Sequence, residues 1–392
     1  MKTVLILTSG YGEGHNAAAR NLALAFDRQA GPGTAVTVDL FAEVSPRLHA
    51  FTRRLYLALI NRTPRVWSSV YRWLDHARPF PRELRWLRRA TARLADLIQT
   101  HRPFVVCSTY PLYGFMLDEL AATGRLPCPH VNIVTDSISI NSLWWLPDCH
   151  AWYVPNADTA RVLIDAGRPA DRIFPLGFPV PAILALDTPD LQPPNLAAGH
   201  APRVLFIVNS GSQQAAQLGR LLLAEPSWNV TCAVGRDHKL REHLEALARQ
   251  RRTPVTILGW TDRIPQLLKT HHVVISKAGG ATTQEAIAAR CPMIVNQIVP
   301  GQEEGNYELL RRHGIGTLAR TPAAVMAGLH RAFAGRGAIW REWRQAIEPL
   351  ARPNAASDIA RHLLLNLSPP VPAANGRTAQ FTAAPASPLL HG

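Results

Sequence analysis

The sequence predicts an α/β protein of two Rossmann-like domains whose parallel sheets face a cleft. Three observations predict this. The apolar run "TVLILTS" (3–9) leads into the glycine-bearing turn "GYGEG" (10–14) and then a helical pattern. Halfway along, "RVLFIVNSGS" (203–212) again runs from a strand into a small-residue turn. Elsewhere, apolar runs of strand length alternate with helical patterns, an order that calls for crossover connections and so for parallel strands. A length of 392 residues suits two domains better than one.

The first domain is expected over 1–182. Residues 15–29 carry Ala and Leu at helical spacing, and "AVTVDL" (35–40) completes a strand–helix–strand unit. Residues 47–100 are helical in pattern. "PFVVCSTYP" (103–111), "HVNIVTD" (130–136) and "AWYVPN" (151–156) are strands. Residues 183–202 are rich in Pro, Ala and Gly and are expected to be a linker. The second domain spans 203–366, with strands at 229–235, 255–260, 271–280 and 292–297 and helices over 338–366 expected to pack back on the first domain. The Pro/Ala-rich tail 367–392 is expected to be disordered.

Composition narrows the partners. The net charge of +14 favours anionic ones. Thirteen arginines against three acidic residues fall between Arg47 and Arg102, interleaved with Trp67, Trp73, Trp86, Tyr56 and Tyr71. Mixed basic and aromatic helices suit an anionic membrane surface; they also fit a solvated basic face over a packed core. No nucleic-acid fold motif is present, so nucleic acid is not an expected partner. The five cysteines are scattered without ligand or disulfide spacing, which reads as buried thiols in a reducing cytoplasm. No secretory signal and no span of about 20 apolar residues is visible, so membrane contact would be peripheral, on the inner face of the cell membrane.

The densest motif is "VVISKAGGATTQEAIAARCPMIVNQIVPGQEEGN" (273–306). A strand ends near Ser276, Gly279 and Gly280 make the turn, and a helix begins near Ala281. Glycines admit a close backbone approach, and the free N–H groups of a helix start suit a phosphate. Thr282 and Thr283 add hydroxyls. Glu285, about one turn in, is placed to accept from ribose hydroxyls. The next strand ends at Gln297, and Gln302, Glu303 and Asn306 follow in a polar loop where ligands of open α/β sheets bind. These residues fit sugar hydroxyls; helix capping is the plainer alternative.

The first glycine turn departs from the dinucleotide pattern GxGxxG, reading GxGxG followed by His15. Asp39 at the end of the second strand keeps a nicotinamide enzyme open. His15 is either an ordinary residue of a helix start or an acid–base group, since imidazole titrates near neutrality. Asp136 ends a strand at the same cleft. It would orient His15, bind an acceptor hydroxyl, or cap the following turn.

Six motifs, in order along both domains, together resemble the GT-B glycosyltransferases of the monogalactosyldiacylglycerol synthase and processive diacylglycerol glucosyltransferase family, and more loosely the lipid II N-acetylglucosaminyltransferases. They are "SGYGEGHNAAA" (9–19), "NIVTDSISINSLWW" (132–145), "NSGSQQ" (209–214), "LGWTDRIPQLL" (258–268), "SKAGGATTQEA" (276–286) and "PGQEEGN" (300–306). The resemblance implies that Gly279, Gly280 and Thr282 hold the pyrophosphate, Glu285 the ribose, and Gln302 and Glu303 the donor sugar, with Asn306 beside them. It places Trp260 and Thr261 at the uracil and Ser210, Gly211 and Ser212 under the phosphates. Gly12, Gly14 and Asn141 fall on the acceptor side, where His15 would take the acceptor's proton. Asn141 stands where many members carry His, and Asn cannot act as a base.

The implied activity is inverting transfer of a hexose from a UDP-hexose, a substrate, to a lipid hydroxyl, that of diacylglycerol. No metal and no cofactor are implied. A UDP-sugar epimerase or hydrolase on the same fold, or a non-catalytic lipid-binding protein, are the alternatives.

Overall fold

The computed structural model describes residues 2–62, 85–187, 191–208, 212–301 and 303–367. The N-terminal half runs β1 (Val4–Thr8), α1 (Glu13–Ala30), β2 (Ala35–Asp39), α2 (Leu40–Val44), α3 (Pro46–Arg62), α4 (Arg85–His101), β3 (Val105–Ser108), α5 (Leu112–Ala122), β4 (His130–Ile133), β5 (Ala151–Tyr153), α6 (Ala157–Asp165) and β6 (Ile173–Phe174). The C-terminal half runs β7 (Arg203–Ile207), α7 (Ser212–Ala224), β8 (Asn229–Ala233), α8 (His238–Ala248), β9 (Val255–Leu258), α9 (Ile264–Thr270), β10 (Val273–Lys277), α10 (Gly280–Ala288), β11 (Met293–Gln297), α11 (Glu304–Arg312), β12 (Gly316–Leu318), α12 (Pro322–Ile347) and α13 (Ala355–Asn366).

The strands form two six-stranded sheets, β2-β1-β3-β4-β5-β6 and β12-β11-β10-β7-β8-β9. Among the described residues, every pairing between these strands is parallel. A parallel sheet is covered by helices on both faces, so its central strands read as unbroken apolar runs. That is why β1 (VLILT) is buried at all five positions. Helix α1 turns Ala17, Ala18, Leu22, Ala25 and Phe26 inward. Strands β6 and β12 are two and three residues long, too short to leave a pattern in the sequence. The run 271–280 is a strand only as far as Lys277; its two glycines belong to the turn and the start of α10.

Strand order reverses between β1 and β3 in the first sheet and between β7 and β10 in the second. Ligands of open α/β sheets sit in the crevice beyond the carboxyl ends of the strands at such switch points. The turn after β1 and the turn after β10 therefore each open onto a crevice.

Helix α12 is broken at 334–337, where Gly335, Arg336 and Gly337 have positive φ. Helix α13 lies on the first sheet's side, with Ala356, Ile359, Ala360 and Leu363 packed among Val4, Ile6, Ala19 and Leu22. Tyr153 Oη and His362 Nδ1 are 2.8 Å apart at the same contact. The 183–202 stretch contains short 3-10 turns at Ala182–Ala185 and Leu196–Ala198.

Candidate functional site

The glycine turn after β1 brings His15 into the first turn of α1, where it is buried. Its Nδ1 lies 2.8 Å from the Thr109 carbonyl oxygen, in the turn after β3 across the switch point. A carbonyl only accepts, so Nδ1 carries the proton and the lone pair stays on Nε2. Thr135 Oγ1 sits 2.9 Å from the same Nδ1, and Tyr110 meets the ring edge-on at 5.1 Å between centroids. Burial holds the imidazole's pKa below its usual value, with the nearby Asp136 charge opposing that shift. His15 is therefore kept neutral, with its basic nitrogen available.

Asp136 follows β4. Its Oδ2 accepts from Trp144 Nε1 at 3.0 Å, and burial pushes its carboxyl upward, against the pull of His15 and Trp144. The tautomer of His15 is set by Thr109; Asp136 acts on His15 as a charge through space. Asn141 Oδ1 accepts from Leu143 N at 3.1 Å and caps a 3-10 turn over Ser142–Trp144. Asp39, the acid that kept a nicotinamide enzyme open, accepts from Gly10 N at 2.8 Å and Ala42 N at 3.0 Å, and caps α2. Its carboxylate thus fastens the glycine turn to α2.

In the other half, Gly279 and Gly280 open α10, nine residues long. Two close approaches join this turn to the first half. A Cβ on Gly280 would lie 3.1 Å from the Thr135 carbonyl oxygen, and one on Gly14 would lie 3.9 Å from Ala281 N. The starts of α1 and α10 thus face each other, and two positive helix ends converge beside His15 and Thr135.

Thr282 is half-buried in this first turn, whereas Thr283 is fully buried with its hydroxyl 3.9 Å from Met293 Sδ. Thr283 belongs to the core and supplies no ligand hydroxyl. Glu285 is half-buried, and burial pushes its carboxyl up to about 7, with Arg20 of α1 drawing it back down.

Glu303 is 5% exposed. Its Oε1 is 2.5 Å from Lys277 Nζ and its Oε2 accepts from Val299 N at 2.9 Å. Oε1 would be 3.8 Å from a Cβ on Gly279, so the carboxylate does reach the glycine turn, braced by Lys277. Asn306 Nδ2 donates to the Ala278 carbonyl at 3.0 Å, tying α11 to the same turn, while its buried Oδ1 has no partner among the described residues.

Trp260 and Thr261 follow β9, the edge strand, with β7 and β8 between it and β10. Trp260 is 70% exposed, and Thr261 Oγ1 accepts from Arg263 N at 3.1 Å. Ser212 opens α7. Ser210, Gly211 and Gln302 lie outside the described residues, as do Trp67 and Trp73. Among the described residues, no three His, Cys, Asp or Glu side chains are grouped as metal ligands would be. Thr109, Tyr110, Thr135, Trp144 and Lys277 are site residues that sequence reasoning missed. Lys277, Thr135 and Trp144 lie inside the quoted motifs and carried a signal that could have been read; Thr109 and Tyr110 did not.

Residues 15–180 match the monogalactosyldiacylglycerol (MGDG) synthase family, and residues 205–315 the glycosyltransferase family 28 C-terminal domain. A processive diacylglycerol beta-glucosyltransferase of Bacillus cereus (strain ATCC 14579) is 26% identical over 328 residues, covering 83% of this chain and 84% of the relative. A relative of the same description from Bacillus thuringiensis (strain Al Hakam) is 25% identical over 365 residues, covering 92% and 93%. Among solved structures, the fold is shared with a lipopolysaccharide outer core galactosyltransferase (TM-score 0.51, 14% identity, 93% of this chain and 100% of that one). It is shared also with a UDP-GlcNAc 2-epimerase from Neisseria meningitidis bound to UDP-GlcNAc (TM-score 0.57, 12% identity, 93% and 100%). The two sheets with their facing switch points are the GT-B architecture.

Proposed function

From the membership of this chain in the glycosyltransferase family of MGDG synthases and processive diacylglycerol glucosyltransferases, we propose that it moves a hexose from a UDP-hexose to the hydroxyl of diacylglycerol with inversion at the anomeric carbon. The observation that carries this reading is the meeting of the two glycine turns, which puts a neutral His15 beside a helix start suited to a diphosphate.

In this reading His15 Nε2 takes the acceptor hydroxyl's proton as the oxygen attacks the sugar's C1. The bond from C1 to the phosphate oxygen breaks, and its electron pair leaves with UDP. Charge building on the diphosphate meets the N–H groups of Gly280 and Ala281, the dipole of α10 and the Lys277 ammonium. Glu285 accepts from ribose. Glu303, held by Lys277, and Asn306, with its unpartnered Oδ1, meet the sugar. An α-linked donor attacked directly gives a β product, as the names of the Bacillus relatives state for those proteins.

The lipid has to reach His15 from a bilayer. No described helix is long and apolar enough to cross one. Helix α3 presents Leu48, Phe51 and Leu55, at 44%, 65% and 49% exposure, beside exposed Arg47 and Arg54. Apolar and basic groups on one helical face favour peripheral docking on an anionic leaflet. The five free, buried thiols accord with a reducing compartment, and hence with the inner face of the membrane.

A panel of UDP-sugars offered with vesicles containing diacylglycerol, read by mass spectrometry of the lipids, tests the proposal. A hexosyl-diacylglycerol with one donor is expected. Epimerised or hydrolysed sugar formed equally well without any lipid would replace this reading by the epimerase or hydrolase one.

A further inference from the structure

The turn at 137–139 crosses from the first half into the second. Ser137 is buried, and its Oγ accepts from Gln284 Nε2 of α10 at 2.9 Å. Ile138 is buried in a cluster otherwise drawn from the C-terminal half, with Ile287, Leu309 and Leu310. Its φ is +54°, a left-handed conformation that a β-branched residue adopts only where its surroundings impose it. Those surroundings are visible: Ile138 N donates to Thr159 Oγ1 at 3.0 Å, and Ile140 N to the Ile138 carbonyl at 2.9 Å.

Helix α11 lies on this turn at one end and on α6 at the other. Gly305, in its first turn, has backbone against backbone: a Cβ there would overlap the Ser137 carbonyl oxygen and stand 2.5 Å from Ser139 N. Just past its last turn, His313 Nε2 is 2.8 Å from Asp158 Oδ2 of α6, and Arg312 Nη1 is 3.6 Å from Asp158 Oδ1. Between these anchors, Asn306 ties α11 to the donor turn through the Ala278 carbonyl.

We infer that α11 is a clamp, and that Ile138 and Gly305 are positioning residues that set how the two halves close. The missing side chain at 305 lets α11 sit on the 137–139 turn. Ile138 then keys that turn into the second half's core, next to the Thr135 carbonyl that meets Gly280. Closure assigned in this way rests on the proposed transferase reading for its effect on rate, and on contact geometry alone for its effect on shape.

Two variants of the full chain, Gly305→Ala and Ile138→Ala, test this by three readouts: radius of gyration in solution, UDP affinity by calorimetry, and hexose transfer. Ala favours a helix over Gly, so propensity is not what Gly305→Ala loses. The expected result is a larger radius of gyration for Gly305→Ala, UDP affinity within threefold of wild type, and kcat lowered at least 30-fold. Ile138→Ala should move the same way by a smaller amount, and it carries the test should Gly305→Ala fail to fold. An unchanged radius and kcat in the folded variants would overturn the clamp. So would a loss of UDP affinity that matches the loss of kcat, which would make Gly305 part of the donor pocket itself. A wild-type protein that binds UDP yet transfers no hexose would sink the transferase reading, while the radius would still decide the clamp.

Discussion

Replacing Glu285 by Gln should stabilise the ligand-free protein while weakening its hold on UDP. Burial pushes the carboxyl up to about 7 in the folded chain, from its ordinary value of 4.5. A folded pKa above the unfolded one means the ionised form is disfavoured in the fold. The penalty is absent below about pH 4.5, grows as pH rises, and is complete above about pH 7. At about 1.4 kcal/mol for each tenfold change in proton affinity, the rise from 4.5 to about 7 corresponds to roughly 3.5 kcal/mol before solvent screening. The partial exposure of Glu285 reduces this to about 2 kcal/mol. Gln keeps the shape and removes the charge at every pH.

Urea unfolding without UDP should therefore show Glu285→Gln more stable than wild type by about 2 kcal/mol at pH 8, with most of the gap gone at pH 5. Calorimetry at pH 8 should show UDP binding weaker by about 1.5–3 kcal/mol, the worth of a charge-assisted hydrogen bond. In the proposed reading, Glu285 costs stability until ribose occupies the site. Equal stability of the two proteins at pH 8 would refute the burial argument, and unchanged UDP affinity would remove Glu285 from the donor site.

His15→Ala should lower turnover by about 10²–10⁴-fold with UDP affinity nearly intact, checked by paired kinetics and calorimetry. Because burial keeps the His15 pKa below its ordinary value, the acid limb of kcat should fall below about pH 6.5; a limb above that value would contradict the neutral buried imidazole. Trp144→Phe removes the donor to Asp136 Oδ2 and should destabilise the protein by about 1–3 kcal/mol at pH 8, measured by urea unfolding. The triple variant Arg54→Gln, Arg88→Gln and Arg89→Gln changes three exposed cations. It should cosediment less than wild type with phosphatidylglycerol vesicles at low salt, by about 1 kcal/mol per residue near the surface. Equal binding to neutral and anionic vesicles would leave the basic stretch a solvated face.

Local order along the chain was legible because its causes are local. Burial on both faces of a parallel sheet forces the apolar runs at 4–8 and 273–277, and the glycines at 12, 14, 279 and 280 mark the turns and helix starts that follow those strands. The alternation of such runs with helices implied two doubly wound halves, and that is the observed architecture. What the sequence did not disclose depends on distant segments meeting. The proton on His15 Nδ1 is placed by a carbonyl 94 residues away, and a backbone carbonyl leaves no residue type to read. Thr283 looked like a ligand hydroxyl until helix rotation carried it into the core. Gly305 passed as one glycine among many, because the backbone that fills its Cβ position belongs to the other half. Residue types and spacings set which elements form and which groups can bind or titrate. Tautomer, burial, and which polar group is already spent on a neighbour follow from packing between segments far apart in the chain, and only the tertiary structure decided them.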